Sequence, residues 1–196
     1  TVVEIIDTTK NRNEVAAITD HGTVGSWMNY YNYAKKTGLE KPLFGVEGYI
    51  SKYRDEIIDL NKQIKDDKKS KSEEIIEKKK ERKEYIKNKF HIIVIAKNTE
   101  GFYNIIDLMN DANINGFYQN PIISQNLLLK KKGLIVTSAC LAGNVGRAIM
   151  NKDINAAKEY VELMKESFGE DFYLEVQANG MQEQKNVNKV ILALAK

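Results

Sequence analysis

Short apolar runs alternate along the chain with longer segments in which apolar residues recur at helical spacing. The runs at 15–19, 41–45, 91–96, 134–138 and 172–176 predict buried strands. Helices are predicted at 2–9, 24–36, 99–113, 124–129, 144–151, 153–168 and 181–195. Because strands and helices alternate, the pattern predicts an α/β protein of βαβ units around a parallel sheet, either a barrel or a doubly wound sheet.

The segment 51–90 differs from the rest because it is dense in Lys, Glu and Asp. Its few apolar residues are spaced as on two helices, and 66–72 contains none. We therefore expect two charged helices joined by a loop, forming an antiparallel hairpin that projects from the domain.

The net charge of +3 is not spread evenly over the chain. Residues 51–90 hold 14 of the 30 Lys and Arg residues and 10 of the 27 Asp and Glu residues, which leaves the remainder with 16 and 17. Mixed charge at helical spacing is more typical of a solvated helix face than of a DNA-binding surface. The basic excess alone therefore does not indicate nucleic-acid binding.

Chain length and cysteine content indicate the number of domains and the cellular environment. The 196 residues suit one domain, or a large piece of one. No run approaches the ~20 apolar residues that a membrane helix requires, and the first residues lack a signal-peptide pattern. Cys140 is the one cysteine, so an internal disulfide is excluded. We expect a cytoplasmic, reducing environment and no membrane partner.

Four side chains that can bind metals lie at the edges of predicted strands. His21 follows the first strand, Glu47 lies just past the second, His91 begins the third, and Cys140 lies just past the fourth. In parallel α/β proteins the strand ends face the functional crevice. Imidazole, carboxylate and thiolate all suit zinc or a similar divalent ion, so the four could converge on one rim.

Each of these residues also has a simpler interpretation. Asp20, His21 and Gly22 could form only a turn, Glu47 could be exposed, and Cys140 could be a small buried apolar residue. The stretch 142–147 could offer backbone amides to a phosphate, although an ordinary strand-to-helix turn is the favoured interpretation. The residues alone leave these alternatives open.

Several segments resemble one known family in the same order. Residues 17–22 read Ala-Ile-Thr-Asp-His-Gly, 42–49 read Pro-Leu-Phe-Gly-Val-Glu-Gly-Tyr, and 91–98 read His-Ile-Ile-Val-Ile-Ala-Lys-Asn. The most specific segment, 133–143, contains Ser-Ala-Cys-Leu-Ala-Gly, and 172–177 continues the match. Together they resemble the PHP (polymerase and histidinol phosphatase) superfamily, in the branch of the bacterial replicative, C-family DNA polymerases.

This resemblance implies a fold and a ligand set. The fold would be an incomplete, distorted (β/α)₇ barrel of the PHP type over 1–196, with 51–90 as an inserted charged helical hairpin. His21, Glu47, His91 and Cys140 match the family's metal ligands, for which the resemblance implies zinc or manganese, and Asp20 would support the turn or the ligands. The family's His-x-His and Asp-x-His motifs are absent, so we expect the sequence to be an excerpt cut at both ends.

The resemblance also implies a function, with alternatives. The chain would be the N-terminal PHP domain of a replicative polymerase, and its metal site would serve a 3′→5′ proofreading exonuclease. Alternatively, the domain only braces the polymerase and docks partner subunits, or it is a stand-alone PHP phosphoesterase. The parent would act on DNA and dNTPs with Mg²⁺ held outside this segment. Its possible partners include a sliding clamp and an exonuclease subunit.

Overall fold

The computed structural model describes residues 1–12, 15–67 and 72–196. The helices in these ranges are α1 (Val2–Arg12), α2 (Trp27–Thr37), α3 (Arg54–Asp66), α4 (Glu73–Ile86), α5 (Thr99–Ile114), α6 (Gln125–Leu128), α7 (Asn144–Met150), α8 (Ile154–Phe168) and α9 (Gln182–Leu194). The strands are β1 (Ala17–His21), β2 (Leu43–Ser51), β3 (Phe90–Ala96), β4 (Phe117–Tyr118), β5 (Asn120–Ser124), β6 (Leu134–Thr137) and β7 (Phe172–Tyr173). A short 3₁₀ helix, Gly169–Asp171, precedes β7.

One strand, β2, organises the sheet. Its first half pairs in parallel with β1 and its last residues pair in parallel with β5, while β3 pairs antiparallel along the opposite edge. β6 runs antiparallel to β3, and β7 runs parallel to β6. The order is β4-β5-β2-β3-β6-β7, with β1 also beside β2. This open sheet is consistent with an incomplete α/β barrel.

The predicted all-parallel sheet is wrong at β3. Two helices, α3 and α4, lie between β2 and β3 and return the chain to the end of the sheet that it left. The next strand therefore runs back beside β2, as in a hairpin, whereas a parallel neighbour requires a crossover to the far end. The sheet is mixed as a result.

Some predicted boundaries also changed. β2 extends to Ser51, well beyond the predicted 41–45, so Glu47 lies within a strand and not after it. β7 covers only two residues of the predicted 172–176. The short strands β4 and β5 were not predicted, because two to five residues interrupted by Pro121 give little hydrophobic pattern.

The sheet has two different faces. Alternate residues such as Ile18, Val46, Ile92, Val94 and Val136 are buried in the main core. Helix α2 is fixed to this face by hydrogen bonds from Trp27 Nε1 to Gly45 O (3.0 Å) and from the Tyr30 hydroxyl to Ala16 O (2.7 Å).

The intervening residues lie on the opposite face, which is partly open to solvent. They include Glu47, Tyr49, His91, Ile93 and Thr137, all half-buried. The polar candidates are therefore concentrated on the open face, while the apolar residues of the same strands fill the core.

Helices α3 and α4 form the pair expected for 51–90, although the predicted loop lies largely outside the described residues. Ile57, Leu60, Ile64 and Ile75 are buried along the two helices. The Tyr53 and Tyr85 rings stack with centroids 4.8 Å apart. That this pair is an insertion into the domain stays a prediction. No helix in the described ranges is long and apolar enough to cross a membrane.

We expect Ile92→Ala to lower the free energy of unfolding by about 2–5 kcal/mol, because it leaves a cavity in a packed core. Ile92 is 1% exposed. The matched control is Ile76→Ala, at a position that is 49% exposed, for which a change within about 0.5 kcal/mol is expected. Urea unfolding measures both. Equal losses in the two variants would contradict the assignment of the core face.

Candidate metal centre

The register of three strands brings two histidines and a glutamate together. In the parallel pair β1–β2, His21 lies opposite Glu47. In the antiparallel pair β2–β3, Tyr49 lies opposite His91. Glu47 and Tyr49 are two residues apart in one strand, so their side chains share a face. His21, Glu47 and His91 consequently meet on the open face of the sheet.

The distances within this group are short. The His91 Nδ1 atom lies 3.0 Å from Glu47 Oε1. One potential ligand atom from each of His21, Glu47 and His91 lies within 4.8 Å of the others. The Glu47 and His91 side chains are 26% and 21% exposed, while His21 is exposed. The group is thus accessible to a ligand from solvent.

Tyr49 packs against both imidazoles. Its ring centroid lies 4.7 Å from that of His21 and 5.2 Å from that of His91, and the two imidazole centroids are 4.6 Å apart. These contacts restrict how far either imidazole can turn. The sequence did not identify Tyr49 as a site residue. Its position two residues after Glu47, in a strand that is longer than predicted, is the feature that could have identified it.

Cys140 joins the same group from the turn after β6. Its Sγ atom lies 3.4 Å from His91 Nδ1 and 3.9 Å from Glu47 Oε1. The amide of Ala142 donates a hydrogen bond to this sulfur at 3.4 Å. The structure therefore brings all four side chains predicted as ligands into one cluster, in which Cys140 touches His91 and Glu47.

A tight turn presents the cysteine. Ala139 adopts a positive φ of 55°, a conformation that L-residues rarely take. The Gly143 amide donates to Cys140 O at 2.9 Å. A Cβ at Gly143 would lie 2.1 Å from Ser138 O, so a larger residue there would force the turn apart.

Two residues that the sequence did not select hold the base of this turn. The Thr137 hydroxyl donates to Glu175 Oε2 at 2.6 Å, and the Glu175 amide donates to the Ser138 hydroxyl at 2.9 Å. The Ala139 amide donates in turn to the Thr137 hydroxyl at 3.3 Å. Only the register of β6 and β7 reveals these contacts, because Thr137 and Glu175 are 38 residues apart.

Asp20 lies beside the cluster in sequence but makes its hydrogen bond elsewhere. Its Oδ2 atom accepts a hydrogen bond at 2.9 Å from the backbone amide of Ser26, the residue before α2. In β1 it alternates with His21 and so faces the helices. Of the two roles predicted for Asp20, this contact fits support of the turn.

The surroundings of His91 favour its neutral form. Burial lowers the pKa of His91, the nearby His21 lowers it further, and Glu47 opposes both effects. A neutral imidazole keeps a free lone pair, which is the form that binds metal ions. The carboxylate 3.0 Å away can orient the ring.

The donor set fits a divalent metal ion. Two imidazoles, one carboxylate and one thiol are ligand types that zinc accepts, and imidazole with carboxylate also suits other divalent ions. The ligand atoms of the two imidazoles and the carboxylate all lie within 4.8 Å of one another.

The profile of the PHP domain family matches residues 1–179, which is most of the chain. The chain belongs to the PHP domain family. In this PHP domain His21, Glu47 and His91 lie together, and Cys140 contacts the last two. Their role as ligands stays a prediction.

Curated relatives of this PHP domain are named as subunits of a replicative enzyme. It is 34% identical over 174 residues to the DNA polymerase III subunit alpha of Borreliella burgdorferi, covering 88% of this chain and 13% of that protein. The corresponding proteins of Helicobacter pylori strain 26695 and Aquifex aeolicus are each 32% identical, over 91% and 93% of this chain. The chain spans only 13–14% of the length of these relatives.

We expect Asp20→Ala to lower the free energy of unfolding by about 0.5–2 kcal/mol, as loss of a side-chain bond at a helix start usually does. Asp20→Asn keeps an acceptor oxygen and should lose less. Chemical denaturation measures both. Metal affinity, measured by titration, should change little in either variant; a fall of about 10–100-fold would instead assign Asp20 to the support of the ligands.

Proposed function

We propose that this chain is the PHP domain of a DNA polymerase III alpha subunit and that His21, Glu47, His91 and Cys140 hold divalent metal in it. The observation that carries the proposal is the contact of four ligand-type side chains from four separate strands and turns. The parent protein would synthesise DNA from dNTPs with Mg²⁺, through carboxylates outside this segment.

We further propose that the site hydrolyses phosphodiesters at the 3′ end of DNA. Zinc or manganese held there supplies Lewis-acid activation of water and of a phosphate oxygen. Glu47 orients His91 through the 3.0 Å contact with its Nδ1 atom. Tyr49 packs against both imidazoles and limits their rotation, which keeps the ligand atoms directed at a common point.

The charge of the site is compatible with an anionic substrate. The described ligands contribute one carboxylate and one thiol, and burial favours the neutral form of His91. With metal bound, Cys140 would be a thiolate, so it and Glu47 together would balance a divalent ion, and a phosphate would be held by coordination of its oxygen. The exposed position of His21 leaves the group open to a strand end.

The alternative is a PHP domain that only braces the polymerase and docks a clamp or an exonuclease subunit. Such a domain does not need its ligands for chemistry. If the same side chains are required for metal binding and for hydrolysis, the site is catalytic. If metal binds without hydrolysis, the domain only braces the polymerase.

We expect His21→Ala, Glu47→Ala and Cys140→Ser each to weaken binding of Zn²⁺ or Mn²⁺ to the full-length protein by more than about 100-fold, because loss of even a supporting group costs about 10–100-fold. Isothermal titration and metal analysis after dialysis measure the effect. Cys140→Ser should also remove the thiolate-to-metal absorption of the cobalt form. Glu166→Ala, at an exposed position on α8, is the control and should bind normally. Unchanged metal content in the His21 and Cys140 variants would defeat the ligand assignment.

We expect the metal-loaded full-length protein to shorten a 5′-labelled single strand, and the three ligand variants to lose this activity while keeping nucleotide addition. Gel analysis of labelled oligonucleotides without dNTPs measures hydrolysis, and primer extension measures synthesis. Metal binding without any hydrolysis would support the bracing function instead.

A further inference from the structure

A second cavity lies beside the sheet, separate from the metal centre. It has a volume of about 450 Å³ and lies between the start of β3, the end of β2 and the helices α7 and α8. None of the four candidate ligands lines it. The lining residues that matter here are Lys52, Phe90, Asn144, Arg147, Asn151 and Tyr160.

Tyr160 is one of the residues that line the cavity. The residue is 8% exposed, and its hydroxyl makes no hydrogen bond within residues 1–12, 15–67 and 72–196. In those ranges every side-chain nitrogen or oxygen that is shut off from solvent does have a partner. The Tyr160 hydroxyl is therefore reached by solvent, and the cavity is the space that Tyr160 borders. Burial raises the pKa of Tyr160, so the hydroxyl stays protonated and can donate.

Two cations in the lining have no acidic partner in the part of the chain that the structure describes. The Arg147 guanidinium lies 4.8 Å from the Phe90 ring centroid and donates to Lys87 O at 2.9 Å. The Lys52 ammonium lies 4.9 Å from the Tyr53 ring centroid. Both charges are thus placed by aromatic rings and remain available to an anion.

The acidic residues of the lining do not cancel these cations. The Asp153 carboxylate accepts a hydrogen bond at 3.0 Å from the Ala156 amide at the start of α8, where the helix dipole favours a negative charge. Glu159 also lines the cavity, but its side chain is exposed to solvent, which screens its charge. The third cation, Lys87, is already paired with Glu84.

Neutral donors complete the lining. Asn88, Gln125, Asn144 and Asn151 all border the cavity, and each carries an amide that can donate as well as accept. Cations, amides and a buried phenol together suit an anion that is rich in acceptor oxygens. The planar guanidinium and the ammonium are the groups that proteins use for phosphate.

We propose that this cavity binds a nucleotide through its phosphate, with Arg147, Lys52 and the Tyr160 hydroxyl as the phosphate contacts. Its volume falls in the range of small-molecule pockets, about 300–1,000 Å³, and exceeds what a bare phosphate requires. The anion recognition follows from the lining alone, whereas the choice of a nucleotide rests on the proposed function. The nucleotide is either free or one unit of a DNA strand.

Photolabelling of the full-length protein tests the site. The probes are 8-azidoadenosine 5′-monophosphate and an oligodeoxynucleotide that ends in 8-azidoadenine, both used in the presence of EDTA, with labelled residues identified by mass spectrometry. We expect label on the cavity walls formed by α7 and α8, displaced by inorganic phosphate but not by adenosine. Labelling by the monophosphate alone indicates a free nucleotide, and labelling by the oligonucleotide indicates a strand.

Two substitutions should weaken this labelling without unfolding the protein. Arg147→Gln removes a charge-assisted contact and should lower the apparent affinity of the probe about 10-fold or more. Tyr160→Phe keeps the ring in the core and should lower it about 2–10-fold through loss of one hydrogen bond. Inhibition of labelling by unlabelled nucleotide gives the affinities.

Matched variants serve as controls. Arg82→Gln removes a guanidinium that also lies over an aromatic ring, 4.9 Å from the Tyr118 centroid, but outside the cavity, and should label normally. His21→Ala removes a candidate metal ligand and should also label normally. Absence of label from the cavity walls, undiminished labelling of both Arg147→Gln and Tyr160→Phe, or loss of label in His21→Ala would each overturn the proposal. The labelling is done without metal, so its outcome does not depend on whether the metal titrations support the metal centre.

Discussion

The antiparallel pairing of β2 with β3 determines where His91 lies relative to the other ligand candidates. His91 stands near the beginning of β3, whereas His21 and Cys140 stand at and beyond the ends of β1 and β6. In an all-parallel sheet the beginning of a strand lies at the opposite edge from the ends of its neighbours. Because β3 runs antiparallel to β2 and β6, its beginning lies at the same rim as the ends of β2 and β6. The Tyr49–His91 pair fixes this alignment, and a shift by one residue would turn His91 to the core face.

The sequence identified the candidate ligands more accurately than it predicted the direction of the strands. Apolar runs mark buried strands, so β1, β3 and β6 were predicted close to where they lie, and residue type pointed to His21, His91 and Cys140. An apolar run has no direction, however, and the direction of β3 depends on the connection before it. Tyr49, Thr137 and Glu175 were not selected because their contacts exist only once the register is known. Strands β4 and β5 were missed because they are too short and too polar to give a pattern.

Total charge is a poor guide to the anion-binding potential of this domain. The basic excess lies in the segment 51–90, where Lys78, Lys80 and Lys87 are paired with glutamates three or four residues away. Such exposed pairs contribute little and attract no specific ligand. The cations with the clearest capacity to bind a phosphate, Lys52 and Arg147, lie outside these pairs and are held by aromatic rings. Local pairing thus matters more than the sum over the sequence.

The helices α3 and α4 replace what could be a short turn, since the strands they join are adjacent and their ends, Ile50 and Phe90, are already paired. The entropy cost of closing such a connection grows only with the logarithm of its length. Relatives can therefore lengthen, trim or exchange this helical pair at small cost, and the strands would still align Glu47 with His91. The geometry of the rim therefore depends on the pairing of the strands and not on the length of the connection between β2 and β3.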